Sequence, residues 1–300
     1  MSATTVDVDG RAVRLSSLDR VLWPLTGTTK ADLVDYYRRV APVLLPHLAG
    51  RPVTLHRYPE GVGGRHFYQT RTPPHPDWVR TVRLHYPRTG KTFEVPVLDD
   101  LASLVWAANL SAIELHPFLS RADDLATPTE VVFDLDPGPP AELLDAARVA
   151  LDTRGLLDDA GLAAYPKTSG GKGLHVVVPL NTPVSYDETK AFARELARLL
   201  ARRQPARVVD RMTKALRAGK VLVDWSQNDP GKSTVAPYSV RGLRAPSVAT
   251  PVHWDEVERA VGSGDGRVLV AGPAEVLDRV ARDGDRHAGV LTARQRLPGA

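Results

Sequence analysis

The sequence predicts an α+β fold in which mixed or antiparallel sheets are flanked by helices. Strand-like and helix-like segments are interspersed along the chain, but they do not alternate strictly as a doubly wound parallel sheet requires. No internal repeat is visible, and no linker separates the first 120 residues from the strand-rich region that follows. The 300 residues are 43% hydrophobic and could form one large domain or two small ones. We expect a single domain over residues 1–300.

The first predicted elements lie in the N-terminal 120 residues. Residues 28–50 predict a helix, because Thr29 can cap it, Asp32 follows three residues later, and apolar residues recur at helical spacing. A strand is predicted over 51–59, followed by a loop rich in glycine, proline, aromatic and basic residues. The remaining predictions here are a short strand at 93–97 and a helix at 99–110.

The strand-rich core is predicted between residues 125 and 245. An apolar strand, "VVFDLD", ends at a Pro-Gly turn and leads to a helix from about residue 141. The other predicted elements are a strand pair at 163–167 and 173–179, a helix at 187–203, strands at 220–225 and 234–241, and helices at 254–261 and 273–283. From about residue 284 we expect a loose tail.

Composition and charge favour an intracellular protein with an anionic partner. The chain has no cysteine, which excludes disulfides and cysteine-ligated metal sites and fits a reducing compartment. No apolar run reaches membrane-spanning length, and the N-terminal residues lack the order of a signal peptide, so we expect a cytoplasmic protein with no membrane partner. The net charge is +4, with 31 arginines against 8 lysines. Arginine suits phosphate recognition, although an arginine-rich proteome alone would give the same bias.

Two carboxylates end the apolar strand "VVFDLDPG". Asp134 and Asp136 are two residues apart, so on a strand they project from the same face. Adjacent carboxylates repel, and a divalent cation such as Mg²⁺ or Mn²⁺ removes that cost. Asp224 follows a second apolar strand, and three such aspartates could hold two ions about 4 Å apart, the arrangement that clamps an in-line displacement at phosphorus. The alternative is that "DLDPG" only ends a strand with turn-forming residues.

A basic and hydroxyl-bearing turn follows in "KTSGGKGLHVVVP". Its small residues let backbone N–H groups approach an anion, and Ser169, Lys172 and His175 add hydrogen-bond donors. Arg241, at a strand end, is another candidate phosphate ligand. His116 follows a predicted helix and, taken alone, is more often structural. A plain hairpin is the alternative for the glycine-rich turn.

Several motifs taken together resemble a known family. They are "VVFDLDPG", "KTSGGKGLHVVVPL", "VLVDWSQND", "STVAPYSVRGLRAPSVATPVHWDEV", "RPVTLHRYPEGVGGRHFYQ" and "LSAIELHPF". Over residues 10 to 260 the chain resembles the polymerase domain of bacterial ATP-dependent DNA ligase D, an archaeo-eukaryotic primase-type polymerase of non-homologous end joining. The resemblance implies a primase-polymerase fold with two sheets and flanking helices around a central active-site cleft. It divides the domain into a DNA-end-binding part (10–120), a catalytic core (125–245) and C-terminal helices and tail (246–300).

The resemblance also implies roles for individual residues. Asp134, Asp136 and Asp224 match the catalytic, metal-binding triad for two Mn²⁺ or Mg²⁺ ions. The positions that match nucleotide-binding residues are His116, Ser169, Lys172, His175 and Arg241. Phe67 and Tyr68 match aromatic residues that pack on template bases, and Lys30, His56 and Arg57 match a basic pocket for a 5′-phosphate. Here His56 stands where some relatives have lysine.

The implied reaction is extension of a primer 3′ end with nucleoside triphosphates, preferably ribonucleotides, at DNA gaps or ends bearing a 5′-phosphate. A Ku-type protein and a DNA ligase are implied as partners, and the location would be nucleoid-associated. Three alternatives stay open: a stand-alone primase of the same superfamily, a metal-dependent nuclease, and a non-enzymatic module that bridges DNA ends.

Overall fold

The computed structural model describes residues 3–86 and 90–298, and it confirms the mixed α+β class. The chain forms two compact units. The first unit comprises Met1–Asp123, Ser233–Val248 and Gly272–Gly284, and the second comprises Asp124–Lys232, Ala249–Ala271 and Asp285–Ala300. Each unit is therefore assembled from three separate stretches of sequence. The single domain expected over residues 1–300, and its three-part division, stay predictions.

Seven α-helices occur in the described residues. They are α1 (Lys30–Leu48), α2 (Leu101–Asn109), α3 (Leu143–Asp159), α4 (Tyr186–Arg203), α5 (Trp254–Ser263), α6 (Pro273–Asp283) and α7 (Ala288–Thr292). Within the same residues, no helix combines the length and the apolar character that crossing a membrane requires.

The strands are mostly short. They are β1 (Ala3–Val8), β2 (Arg11–Ser16), β3 (Val21–Trp23), β4 (Thr28–Thr29), β5 (Val53–Arg57), β6 (Phe67–Gln69), β7 (Thr81–Tyr86), β8 (Lys91–Pro96), β9 (Ala112–Pro117), β10 (Glu130–Pro137), β11 (Tyr165–Thr168), β12 (Leu174–Pro179), β13 (Val208–Val209), β14 (Val221–Asp224), β15 (Val240–Arg241) and β16 (Ser247–Val248).

The first unit contains a three-stranded antiparallel sheet in the order β6-β5-β9 and four two-stranded ribbons, β1-β2, β3-β4, β7-β8 and β15-β16. Helix α1 begins as predicted, because Thr29 and Asp32 form a reciprocal capping box. The fully buried Tyr37 of this helix donates a hydrogen bond from its hydroxyl to the carbonyl of Ile113 in β9, at 2.7 Å. This bond ties the helix to the sheet that bears the candidate site residues.

The second unit is built on a five-stranded sheet in the order β11-β12-β10-β14-β13, in which only the β13–β14 pair is parallel. The alternation along β10 divides its residues between two faces. Val131, Phe133 and Leu135 are fully buried and belong to a core shared with α3, α4 and α5. Asp134 and Asp136 therefore project from the opposite face, as the period of two predicts.

Local predictions are wrong at three places. The loop predicted after residue 59 contains strand β6. Only Val240–Arg241 of the strand predicted at 234–241 is a strand, because Pro237 lacks an N–H and Tyr238 has a φ of 65°. The tail after residue 284 is ordered up to residue 298. It contains α7, and Gln295 donates a hydrogen bond to the carbonyl of Pro179 at 2.7 Å. Residues 299 and 300 of that predicted tail lie outside the described part.

Candidate functional site

The predicted aspartates meet on one face of the five-stranded sheet. In the antiparallel pair of β10 and β14, Asp134 lies directly opposite Asp224. Directly opposed residues of neighbouring strands project from the same face, and Asp136 shares that face because it is two residues further along β10. Asp224 is buried, whereas the Asp136 side chain is about half exposed, at 51%. The three carboxyl-bearing residues thus share one face of the sheet, on the neighbouring strands β10 and β14.

The row of side chains across the sheet continues on the other side of Asp134. Its partner in β12 is His175, and the partner of His175 in β11 is Lys167. Lys167, His175, Asp134 and Asp224 therefore form one line across four strands, which we call the cross-strand row. The Lys167 Nζ lies 3.1 Å from His175 Nδ1, and His175 Nε2 lies 3.4 Å from an Asp134 carboxylate oxygen. Because an ammonium only donates, His175 carries its ring proton on Nε2, facing Asp134.

The other two aspartates also have partners. One Asp224 oxygen accepts hydrogen bonds from the backbone N–H and the hydroxyl of Ser226, at 2.9 and 2.7 Å. The other oxygen accepts from the amide of Gln227 at 2.9 Å, so Asp224 caps the short 3₁₀ turn that follows β14. Asp136 forms an ion pair with Arg217. These contacts place positive or polar groups against each carboxylate of the set.

The glycine-rich turn joins β11 to β12 and is held by Ser169. The Ser169 hydroxyl oxygen accepts from the backbone N–H groups of Gly171 and Gly173, at 3.4 and 3.1 Å. A Cβ at position 173 would lie 2.8 Å from the carbonyl oxygen of Leu135, so only glycine fits there. Lys172 is exposed at the end of the turn. Ser169 therefore braces the turn, and its hydroxyl proton stays available as a donor.

In the first unit, two predicted site residues converge on a buried glutamate that the sequence reasoning missed. His56 and Glu114 are directly paired across β5 and β9, and His116 follows two residues after Glu114. One Glu114 oxygen, Oε2, accepts from His116 Nε2 at 3.0 Å and lies 3.2 Å from His56 Nδ1. The Glu114 side chain is only 2% exposed. Its position two residues before His116 in "ELH" is the sequence signal that could have identified it.

The second oxygen of Glu114 is equally engaged. Oε1 accepts from the Tyr58 hydroxyl at 3.1 Å and from the backbone N–H of Gly242 at 3.0 Å, and it lies 3.4 Å from Nε of Arg241. Glu114 with His56, His116, Tyr58, Arg241 and Gly242 is called the Glu114 network below. Burial alone raises the pKa of a carboxyl, but the hydrogen bonds from His116 and His56 and the charge of Arg241 hold the pKa of Glu114 well below its usual range.

Three members of this network form a possible metal-binding triad. His56, Glu114 and His116 each offer a ligand atom, and these atoms lie within 4.8 Å of one another; in the described part of the chain they are the one group with that geometry. Two imidazoles and a carboxylate are a known ligand set for zinc. Burial lowers the pKa of His116, while its hydrogen bond to Glu114 opposes that shift, so the ring is neutral near pH 7.

Two of the residues predicted to bind a 5′-phosphate, Lys30 and Arg57, belong to a basic cluster with one addition, whereas His56 belongs to the Glu114 network. Lys30 is buried, and its Nζ donates to the carbonyl of Asn109 at 3.0 Å. Burial, followed by the charges of Arg20 and Arg57, lowers the pKa of Lys30 to about 8. Arg57 donates from Nε to the carbonyl of Leu110 at 3.0 Å. Arg20, which sequence reasoning did not select, belongs to this cluster.

The predicted aromatic pair lies on β6, where neighbouring residues face opposite sides. Tyr68 is 61% exposed and stacks on the His56 ring, with centroids 3.9 Å apart and planes 17° from parallel. Phe67 is half-buried, with the guanidinium carbons of Arg57 and Arg65 each 5.6 Å from its ring centroid. The two rings therefore contact different neighbours.

Comparison with known proteins gives a consistent picture. Residues 29–287 match the family model of the LigD primase-polymerase domain. The multifunctional non-homologous end joining DNA repair protein LigD of Mycobacterium tuberculosis is 42% identical over 284 residues, which cover 91% of this chain and 36% of that protein. LigD of Pseudomonas aeruginosa is 35% identical over 301 residues, covering 96% and 34%. The chain thus spans about a third of the length of these relatives.

A solved structure is similar over nearly the whole chain. It is the polymerase domain from Mycobacterium tuberculosis ligase D in complex with DNA, with a TM-score of 0.86 and 40% sequence identity. The match covers 94% of this chain and 98% of that one.

Proposed function

Because this chain belongs to the LigD primase-polymerase family, we propose that it is a nucleotidyltransferase that extends a primer 3′ end at DNA gaps or breaks during non-homologous end joining. The observation that supports this most is the arrangement of Asp134, Asp136 and Asp224 on one face of the sheet. Three carboxylates in such an arrangement are the ligand set that nucleotidyl transfer with divalent ions needs. The relatives and the solved neighbour named above add the expectation that the template is DNA.

The aspartate face fits hard divalent ions. Its oxygen ligands suit Mn²⁺ and Mg²⁺, and the half-exposed Asp136 leaves room for water and substrate oxygens beside it. Asp134, Asp136 and Asp224 would hold two ions, which supply positive charge at the reacting phosphorus when bound. His175 keeps a donor on Asp134, and Lys167 fixes the tautomer of His175. Arg217 must release Asp136 for that carboxylate to bind an ion.

The triphosphate needs cations and donors. In the second unit we assign Ser169, Lys172 and His175 to nucleotide binding, since the braced turn presents an exposed ammonium and a free hydroxyl proton. In the first unit His116 and Arg241 receive the same assignment from their match to the family pattern. Positive side chains that are already in place beside the departing pyrophosphate lower the activation barrier of nucleotidyl transfer, because they do not have to move as negative charge develops.

The DNA end is assigned to the first unit. Lys30, His56 and Arg57 would bind the 5′-phosphate at the far side of a gap, with Arg20 adding a fourth basic group. The exposed ring of Tyr68, with Phe67 beside it in sequence, would stack on template bases, an interaction worth about 1–3 kcal/mol per base that tolerates any sequence. A Ku-type end-binding protein and a DNA ligase would be the partners of such an enzyme, and its place would be the bacterial nucleoid.

Extension of a gapped duplex bearing a 5′-phosphate tests the proposal. The assay compares ribonucleotides with deoxynucleotides and Mn²⁺ with Mg²⁺, and we expect addition of complementary nucleotides to the primer, fastest with ribonucleotides and Mn²⁺. Two further reactions separate the alternatives. Synthesis without a primer would identify a primase, and degradation of DNA without nucleotide would identify a nuclease. Bridging of DNA ends with no nucleotide added under any condition would contradict the enzymatic proposal.

A further inference from the structure

The Glu114 network contains side chains assigned to two different ligands. His56, and Tyr68 stacked on it, are assigned to the DNA end, whereas His116 and Arg241 are assigned to the nucleotide. All four lie in the first unit, and three of them contact Glu114 itself, at 3.2 Å for His56, 3.0 Å for His116 and 3.4 Å for Arg241. Glu114 contacts side chains of both groups, but neither the DNA-end assignment nor the nucleotide assignment gives this buried carboxylate a role.

Most of the hydrogen-bonding capacity of this carboxylate is used. An ionised carboxylate offers about four lone-pair sites. Glu114 accepts three hydrogen bonds, its Oε2 also lies 3.2 Å from His56 Nδ1, and its Oε1 faces the Arg241 guanidinium. A metal ion bound by His56, Glu114 and His116 would have to take the place of the ring protons that face Glu114. It would also lie close to the positive charge of Arg241. The geometry therefore favours a hydrogen-bonded hub over a metal centre.

The hub also fixes both imidazole rings. His116 directs the proton on Nε2 to Glu114, which leaves Nδ1 as an acceptor. His56 Nδ1 lies 3.2 Å from Glu114 Oε2 and 3.1 Å from the Tyr58 hydroxyl, and its Nε2 lies 3.0 Å from His66 Nδ1. His56 also stacks on the exposed Tyr68 ring, so a displacement of His56 by a bound DNA end changes its contact with Glu114.

We propose that Glu114 is a positioning residue that couples the DNA-end side chains to the nucleotide side chains, so that a bound 5′-phosphorylated end raises the affinity for the incoming nucleotide. This inference rests on the proposed function. Coupling of this kind is reciprocal, since each ligand changes the affinity for the other by the same factor.

Single-nucleotide gap filling by Glu114→Gln tests the coupling. The nucleotide KM and the kcat are measured on two gapped duplexes that differ only in a downstream 5′-phosphate or 5′-hydroxyl. For the wild type we expect the phosphate to lower the nucleotide KM by at least roughly fivefold, the lower end of typical allosteric coupling. For Glu114→Gln, which keeps the shape but loses the charge, we expect the two KM values to agree within about twofold.

Asp99→Asn is the matched control. Asp99 is also a carboxylate of the first unit, accepting from the backbone N–H of Gly50 at 2.6 Å and pairing with Arg80, but it does not contact the Glu114 network. This variant should keep the wild-type ratio of KM values. Thermal unfolding checks each variant, and if Glu114→Gln does not fold, Tyr58→Phe removes a single donor to Glu114 and should reduce the ratio partially.

The outcomes are distinct. A wild type that extends neither duplex contradicts the proposed function. A wild type that extends both with equal KM values, or a Glu114→Gln variant that keeps the wild-type ratio, overturns the coupling alone. Stoichiometric zinc in the purified wild type that is lost in His56→Ala would also overturn it, because Glu114 would then be a metal ligand.

Discussion

At the scale of single residues, the lowered pKa of Lys30 predicts that the proposed binding of a DNA end depends on pH. Burial and the neighbouring Arg20 and Arg57 lower its pKa to about 8 from 10.5, so the ammonium is charged below pH 8 and neutral above it. We predict that the affinity for a 5′-phosphorylated duplex falls roughly five- to tenfold from pH 7 to pH 9, because most of that charge is lost over this interval. Fluorescence anisotropy with a labelled duplex measures it.

Two controls accompany this titration. A 5′-hydroxyl duplex lacks the phosphate that is the proposed ligand of Lys30, and its binding should depend much less on pH. Lys30→Arg keeps its positive charge from pH 7 to pH 9, because a guanidinium does not titrate in this range. The affinity of this variant for the 5′-phosphorylated duplex should therefore hardly change with pH. An equally steep decline in Lys30→Arg would show that another group is responsible.

The aspartate face shows what single residues reveal in sequence and what they do not. The spacing of Asp134 and Asp136 predicts a shared face, and β10 has that geometry. Sequence spacing cannot predict that Asp134 lies opposite Asp224, because strand register depends on the packing of residues distant in sequence. Lys167 and Glu114 were missed for a related reason: each is polar but lies buried on a strand, where only cross-strand neighbours reveal its partners.

At the scale of elements, the Asn228 side chain hydrogen-bonds the backbone of β10 at a position beyond the end of β14. The β10–β14 pairing begins at Asp134, so on the β14 side no strand of the described residues lies beside the backbone of Val132, which pairs with Val177 of β12 on its other side. The Asn228 amide replaces that strand, accepting from the Val132 N–H and donating to its carbonyl, both at 2.8 Å. The side chain is fully buried.

We predict that Asn228→Ala lowers the free energy of unfolding by about 2–4 kcal/mol, since it leaves two buried backbone groups without partners. Urea denaturation followed by circular dichroism measures this change. Asn228→Asp is the informative comparison, because a carboxylate accepts from the Val132 N–H but cannot donate to its carbonyl. A loss below about 0.5 kcal/mol in Asn228→Ala would show that water replaces the amide.

Helices and strands whose apolar residues recur at regular spacing were predicted well, whereas strand β9, which is buried along its whole length, was not. Helices α1 and α4 and strands β10 and β12 lie close to their predicted ranges, because their apolar residues recur at regular intervals or end at clear turn signals. Strand β9 was missed because all six of its residues are buried, so no alternation is visible, and it follows α2 after only two residues. That strand bears both Glu114 and His116.

At the scale of the whole molecule, the two units could not be read from the sequence. Each unit takes three separate stretches of chain, so its boundaries fall within continuous sequence and no linker composition marks them. The α+β class was predictable because it depends only on which elements occur and how they are ordered. The assignment of the chain to a family rests on motifs distributed over both units.

Nucleotide addition by aspartate variants tests the central claim most directly. The measurement is the rate of single-nucleotide addition to a gapped, 5′-phosphorylated duplex with Mn²⁺, for wild type, Asp134→Asn, Asp224→Asn and the control Asp229→Asn. Asp229 lies five residues after Asp224 and pairs with Lys190 at 2.8 Å. We predict at least roughly a hundredfold loss for Asp134→Asn and Asp224→Asn, with DNA affinity kept, and a near wild-type rate for Asp229→Asn. Rates close to wild type in folded Asp134→Asn and Asp224→Asn would contradict the proposed active site.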